Sequence, residues 1–99
     1  MAFFLSLLFK NHFMFYTYIL QSLKDGRFYI GYTANMDQRL MNHNAGMTKS
    51  TKSGIPWKVV YYETFQDKID AIRRERFLKA QRNRAFYERL INGFNPNGS

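Results

Sequence analysis

A chain of 99 residues can build one modest hydrophobic core and has no material for a second. Its 45% apolar and 18% aromatic content exclude disorder throughout, and the lack of cysteine excludes disulfides and thiolate metal sites, in keeping with a reducing, cytoplasmic setting. Fifteen Lys and Arg against seven Asp and Glu leave a formal charge of +8, which points to a polyanionic partner, with nucleic acid favoured over an acidic membrane surface.

The chain opens on MAFFLSLLFKNHFMF, an apolar run too short to span a bilayer and without a charged leader or a small-residue cleavage site. Met14 stands directly before the first patterned strand, so residues 1–13 read as an upstream extension, residues 14–92 as the domain and 93–99 as a tail. FYTYILQS at 15–22 is rich in β-formers, and the Asp-Gly of LKDG turns the chain into a second aromatic strand, RFYIGYT. Asn35 offers an N-cap for a short helix to about Asn44, with Met36 and Leu40 at apolar spacing, and Ala45-Gly46 ends it. AGMTKSTKSGIP reads as a mobile basic loop, and WKVVYYETF restores strand character at 57–65. A helix is predicted over 67–80, followed by a last helix capped by Asn83 and closed by Asn92-Gly93. The expectation is an α+β fold of order β-β-α-β-α-α, a small, mainly antiparallel three-stranded sheet flanked by helices.

Six of the seven carboxylates have structural explanations. Asp25 belongs to the turn, Asp37, Asp67 and Asp70 to helix starts, and Glu63 and Glu88 to basic neighbours. Glu75 differs because it falls on the stripe Ala71, Ile72, Glu75, Leu78, where it either pairs with a nearby arginine or binds a hard divalent cation. A second register through Ile69 and Phe77 would move Glu75 to the helix edge. Arg39 and His43 are one turn apart on one helix face, a pairing that suits either an ordinary helix surface or phosphate chemistry. Tyr18 and Tyr29 lie on the two arms of the hairpin, as cross-strand packing or as phenols that need a cation or a proton acceptor to work at neutral pH. Gly31 within a strand signals a close approach or a bulge. Lys49 and Lys52 of the loop and Arg73, Arg74 and Lys79 of the following helix are either solvated charges or contacts to a phosphate backbone. The clustered carboxylates of a two-metal nuclease, the paired histidines of a zinc site and a glycine-rich phosphate loop are all missing from the sequence.

YTY at 16–18 and YIG at 29–31, followed by YTANMDQRLMNHN, closely resemble the signature of the GIY-YIG nuclease superfamily over about residues 14–91. Within it, the chain is similar to the small stand-alone bacterial members, which resemble the catalytic domains of structure-specific endonucleases and of the bacterial excision-repair nuclease. The resemblance implies that Tyr18 closes the first motif, that Tyr29 and Gly31 open and close the second, that Arg39 and His43 are the helix pair, and that Glu75 is the metal ligand. It further implies hydrolysis of a DNA phosphodiester at one Mg²⁺ or Mn²⁺, in repair or processing, with Tyr18 as first choice to activate water, Tyr29 and His43 in the proton network and Arg39 countering charge.

Tyr16-Thr17 replaces the Gly-Ile of the family name, and no late asparagine is assigned to the site: Asn83 suits a cap, and Asn92 and Asn95 fall at or beyond the helix end. The alternative is a nucleic-acid-binding or partner-binding module that keeps the fold without cleaving. The small size leaves room for a DNA-binding partner protein.

Overall fold

The computed structural model describes residues 14–96, so the expectation of an upstream extension at 1–13 lies outside the described residues. Three antiparallel strands, β1 (Phe15–Ser22), β2 (Phe28–Thr33) and β3 (Trp57–Phe65), form a sheet of order β2-β1-β3. The central strand is the most buried, with Tyr18, Ile19 and Leu20 all fully inaccessible. Helix α1 (Met36–Asn44) and a 3₁₀ segment (Lys49–Gly54) connect β2 to β3; α2 (Lys68–Gln81) and α3 (Arg84–Asn92) complete the order anticipated from the sequence.

Strand alternation divides the core into two halves. Ile19 and Ile30 point to one face, where they pack with Leu78 and Tyr87 from α2 and α3. Tyr18 and Leu20 point to the other, against Trp57 and the partly buried Tyr29, Met36 and Leu40. Between Ile19 and Leu20 the pairing with β3 jumps from Tyr61 to Val59, leaving Val60 as an extra residue. Val60 and Tyr61 therefore both join the α2/α3 side, while Val59 and Tyr62 join the α1 side.

Local chemistry explains the helix ends. The Asn35 and Asn83 side chains accept from the backbone N–H groups of Gln38 and Phe86, capping α1 and α3 as their sequence positions suggest. Helix α2 ends on Arg82 in the left-handed region, and its backbone N–H donates to the Tyr87 hydroxyl, which itself donates to the Leu78 carbonyl at 2.6 Å. Of the two registers open for α2, burial selects the one through Ala71 and Leu78, both fully buried, while Ile69 and Phe77 face solvent.

The segment expected to be a mobile loop is instead a built piece of the fold. Trp57 Nε1 donates to the Thr51 carbonyl at 2.7 Å, the Ser22 hydroxyl donates to the Gly54 carbonyl at 2.6 Å, and Thr51 and Gly54 are buried. The small and polar residues that suggested flexibility are there because the backbone passes directly beneath Trp57. A Cβ at Gly54 would lie 2.5 Å from its indole ring. No helix among the described residues is long and apolar enough to cross a membrane.

Candidate active site

Tyr18 sits at the middle of β1, directly opposite Gly31 of β2. Its ring lies across the glycine so closely that a Cβ at position 31 would stand 2.5 Å from the phenol oxygen. The close approach anticipated for Gly31 is thus made by Tyr18. Tyr29 shares that face, one diagonal step along the sheet, with its ring centroid 6.4 Å from that of Tyr18.

Helix α1 brings Arg39 and His43 over the two phenols. The Tyr18 hydroxyl lies 3.1 Å from His43 Nε2, and Arg39 Nε donates to the same oxygen at 3.3 Å. The Tyr29 ring meets the His43 ring edge-on with centroids 4.8 Å apart. His43 is fully buried, and its other nitrogen, Nδ1, is 2.9 Å from the Thr51 hydroxyl. Asn44, the last residue of α1, accepts from the Trp57 backbone N–H at 2.7 Å and donates to the Trp57 carbonyl at 3.0 Å, which ties α1 to β3. The sequence alone gives Asn44 only the end of the helix and gives Thr51 no role: polar residues beside a glycine break read as loop, and only the tertiary fold brings Thr51 to the imidazole.

Burial governs the electrostatics. It pushes the Tyr18 phenol up to about 12 despite the opposing hydrogen bond and charge of Arg39, so the group is protonated at neutral pH. It lowers His43 to about 4, with the Arg39 charge adding to the effect, so the imidazole is neutral. Arg39 is held above its usual value, chiefly by its hydrogen bond to Tyr18, with Tyr29 contributing in the same direction.

Glu75 approaches from α2, close enough for its charge to act on the Tyr18 phenol. It is tucked in, with its side chain 15% exposed, and Oε2 lies 3.4 Å from Nζ of Lys79 one turn on. The ion-pair partner is thus a lysine of the same helix and not one of the arginines. Among the described residues no group of three or more His, Asp or Glu side chains is placed to hold a metal ion, and Glu75 offers a hard oxygen donor. That donor fits Mg²⁺, which accepts one or two carboxylates and retains water and phosphate oxygens, and it does not fit zinc.

The basic residues separate by environment. Lys49 and Lys52 are exposed on the 3₁₀ segment that flanks Thr51, and Arg73 is exposed on α2. Arg74 is engaged with Glu63 at 2.9 Å, the carboxylate that also accepts from the Tyr61 hydroxyl. Asn83 is occupied as the cap of α3.

The family model described as the GIY-YIG catalytic domain matches residues 14–91. The chain is 40% identical over 68 residues to a UPF0213 protein of Streptococcus pneumoniae, covering 68% of each, and 45% identical over 65 residues to one of Staphylococcus haemolyticus, covering 65% of this chain and 78% of that one. The solution NMR structure of a UPF0213 protein from Bacillus halodurans superposes with a TM-score of 0.52 at 34% identity, covering 85% of this chain and 89% of the other.

Proposed function

The chain belongs to the GIY-YIG catalytic domain family, and from that premise we propose that it is a divalent-metal-dependent DNA endonuclease whose chemistry centres on Tyr18. The observation that carries the proposal is the convergence of Arg39 and His43 on the Tyr18 hydroxyl, with Glu75 in electrostatic reach. A packing tyrosine needs no such company. A phenol that must lose a proton needs a neutral base and a cation, and both are present.

Hydrolysis forms a bond from water oxygen to phosphorus and breaks the bond from phosphorus to the leaving alcohol. In the reading proposed, Tyr18 passes its proton to His43 Nε2 as it takes one from the attacking water, and the leaving oxygen takes a proton from solvent. His43 suits the task because it is neutral at working pH. Tyr18 is wholly buried in the resting arrangement, and one side of its oxygen is covered by Arg39. The guanidinium makes a stronger, charge-assisted bond to a phosphate than to a neutral phenol, so an arriving phosphodiester draws Arg39 away and opens the oxygen to water. Arg39 then counters the charge that builds on the phosphate. Tyr29 holds the imidazole edge.

Glu75 would hold Mg²⁺ or Mn²⁺, which when bound neutralises negative charge on the phosphate. Lys49, Lys52 and Arg73 are offered as contacts to the phosphate backbone, joined by Lys79 and Arg74 when the DNA phosphates compete with their present carboxylate partners. A place in DNA repair or processing, with a partner protein supplying substrate choice, completes the proposal.

The test is cleavage of single-stranded, branched and duplex DNA with Mg²⁺ or Mn²⁺ by the full chain and by Glu75→Ala. The expected outcome is cutting of at least one substrate, its loss when the metal is chelated, and a loss of at least about 100-fold in Glu75→Ala. DNA binding without cleavage of any substrate would replace this reading by a non-cleaving nucleic-acid-binding module.

A further inference from the structure

We infer that Thr51 is a positioning residue that fixes the tautomer of His43, holding the proton on Nδ1 so that Nε2 is free to receive the Tyr18 proton. The inference deepens the proposed reaction and rests on it for its catalytic meaning, but the assignment itself follows from hydrogen-bond direction alone.

Hydrogen-bond direction is fixed first at the end of the network farthest from Tyr18. The Thr51 hydroxyl donates to the Thr48 carbonyl at 3.3 Å, and a carbonyl has no hydrogen to give back. With its single hydrogen used there, the Thr51 oxygen meets His43 Nδ1, 2.9 Å away, as an acceptor. Nδ1 therefore carries the imidazole hydrogen. In a neutral imidazole the other nitrogen is then bare, so Nε2 accepts from the Tyr18 hydroxyl at 3.1 Å.

The same conclusion follows from the opposite end. Arg39 is a donor only, so the Tyr18 oxygen must accept from its Nε. Were Nε2 protonated, that oxygen would receive a second N–H, and the Tyr18 hydrogen would have no acceptor among its two partners. One direction thus satisfies every member: Arg39 to Tyr18, Tyr18 to His43, His43 to Thr51, and Thr51 to Thr48. The buried surroundings make a mismatched pair costly, since His43 and Thr51 are both fully inaccessible.

The fold also explains why Thr51 stays in place. Its carbonyl accepts from Trp57 Nε1 at 2.7 Å and its N–H donates to the Thr48 carbonyl at 3.1 Å, so the residue is anchored by backbone while its side chain serves the histidine. Removal of the hydroxyl leaves Nδ1–H without an acceptor. The favoured response is transfer of the hydrogen to Nε2, which closes the outlet for the Tyr18 proton.

The direct experiment is a long-range ¹H–¹⁵N correlation of the labelled full chain at neutral pH, with the His43 ring signals identified by their loss in His43→Gln. The wild type and Thr51→Ser are expected to show a protonated, pyrrole-like Nδ1 and an unprotonated, pyridine-like Nε2, and Thr51→Val the reverse. A wild type protonated at Nε2 overturns the inference whether or not the variant folds, and so does a folded Thr51→Val that keeps Nδ1–H. In the cleavage assay Thr51→Val is expected to lose about 10- to 100-fold in kcat with KM unchanged, the scale on which groups that orient a histidine act, and Thr51→Ser is expected to restore it. Cleavage by Thr51→Val at the wild-type rate despite a reversed tautomer overturns the catalytic role. The expected tautomers in a protein that cuts no DNA would remove the nuclease reading and leave the assignment of Thr51 standing.

Discussion

Tyr18 owes its setting to a glycine, because its phenol occupies the space that any side chain at position 31 would need. Gly31→Ala would put a methyl group 2.5 Å from the phenol oxygen, so a loss of about 1–3 kcal/mol is expected from thermal or denaturant unfolding. The same variant should cut DNA poorly even where it is folded, since the phenol must turn away from His43. His43 gives the site a pH signature. Unfolded, it titrates at the ordinary 6.5; folded, at about 4. Between these values the unfolded chain binds more protons, so His43 contributes stability above pH 6.5 that is lost as pH falls towards 4, on the order of 3 kcal/mol in all. Unfolding free energies measured across this range should fall less steeply in His43→Gln, and parallel curves would contradict the depressed imidazole. The Arg39 and His43 pairing was legible because helical spacing alone puts residues four apart on one face. Thr51 was not legible, because its bond to the imidazole crosses a chain reversal that no periodicity encodes.

At the level of elements, strands and helices followed the sequence closely because alternation, the Asp-Gly turn and the two asparagine caps act locally. Periodicity offered two registers for α2, and only packing against Ile19 and Tyr87 selected the one through Leu78. The extra residue at Val60 had no signal, since a β-branched valine looks like any strand residue and the need for a bulge arises only when two helices and α1 claim opposite faces. The 45–56 segment was misread for a different reason: Gly, Ser and Thr suit a flexible loop and also a backbone pressed beneath an indole. Asn44 is the latch of that arrangement. Asn44→Ala removes both bonds to the Trp57 backbone, and a loss of about 1–3 kcal/mol is expected, because the Trp57 N–H is left without its partner. Trp57 is the only tryptophan of the chain and is 3% exposed, so its fluorescence should shift to longer wavelength in the variant. An unchanged spectrum and midpoint would show that the latch carries no weight.

The molecule as a whole combines a charge of +8 with a site built from a buried phenol, a neutral imidazole and a single carboxylate. The charge was plain from composition, and the family from the strand motifs; how the charges divide between ion pairs and free surface needed the fold. Lys49, Lys52 and Arg73 stay exposed, whereas Arg74 and Lys79 have carboxylate partners. DNA affinity should fall linearly on a log–log plot against salt, with a slope of about 0.9 per phosphate neutralised, and Lys49→Ala with Lys52→Ala should flatten it; an affinity indifferent to salt would argue against a nucleic-acid partner. The proposed chemistry turns on Tyr18 as the group through which water is activated. Single-turnover cleavage at saturating DNA, comparing wild type, Tyr18→Phe and Tyr29→Phe with their DNA affinities measured alongside, tests it most directly. Tyr18→Phe is expected to bind as wild type and to cut about 10²- to 10⁴-fold more slowly, with a smaller loss in Tyr29→Phe. Tyr18→Phe cutting at the wild-type rate would contradict it.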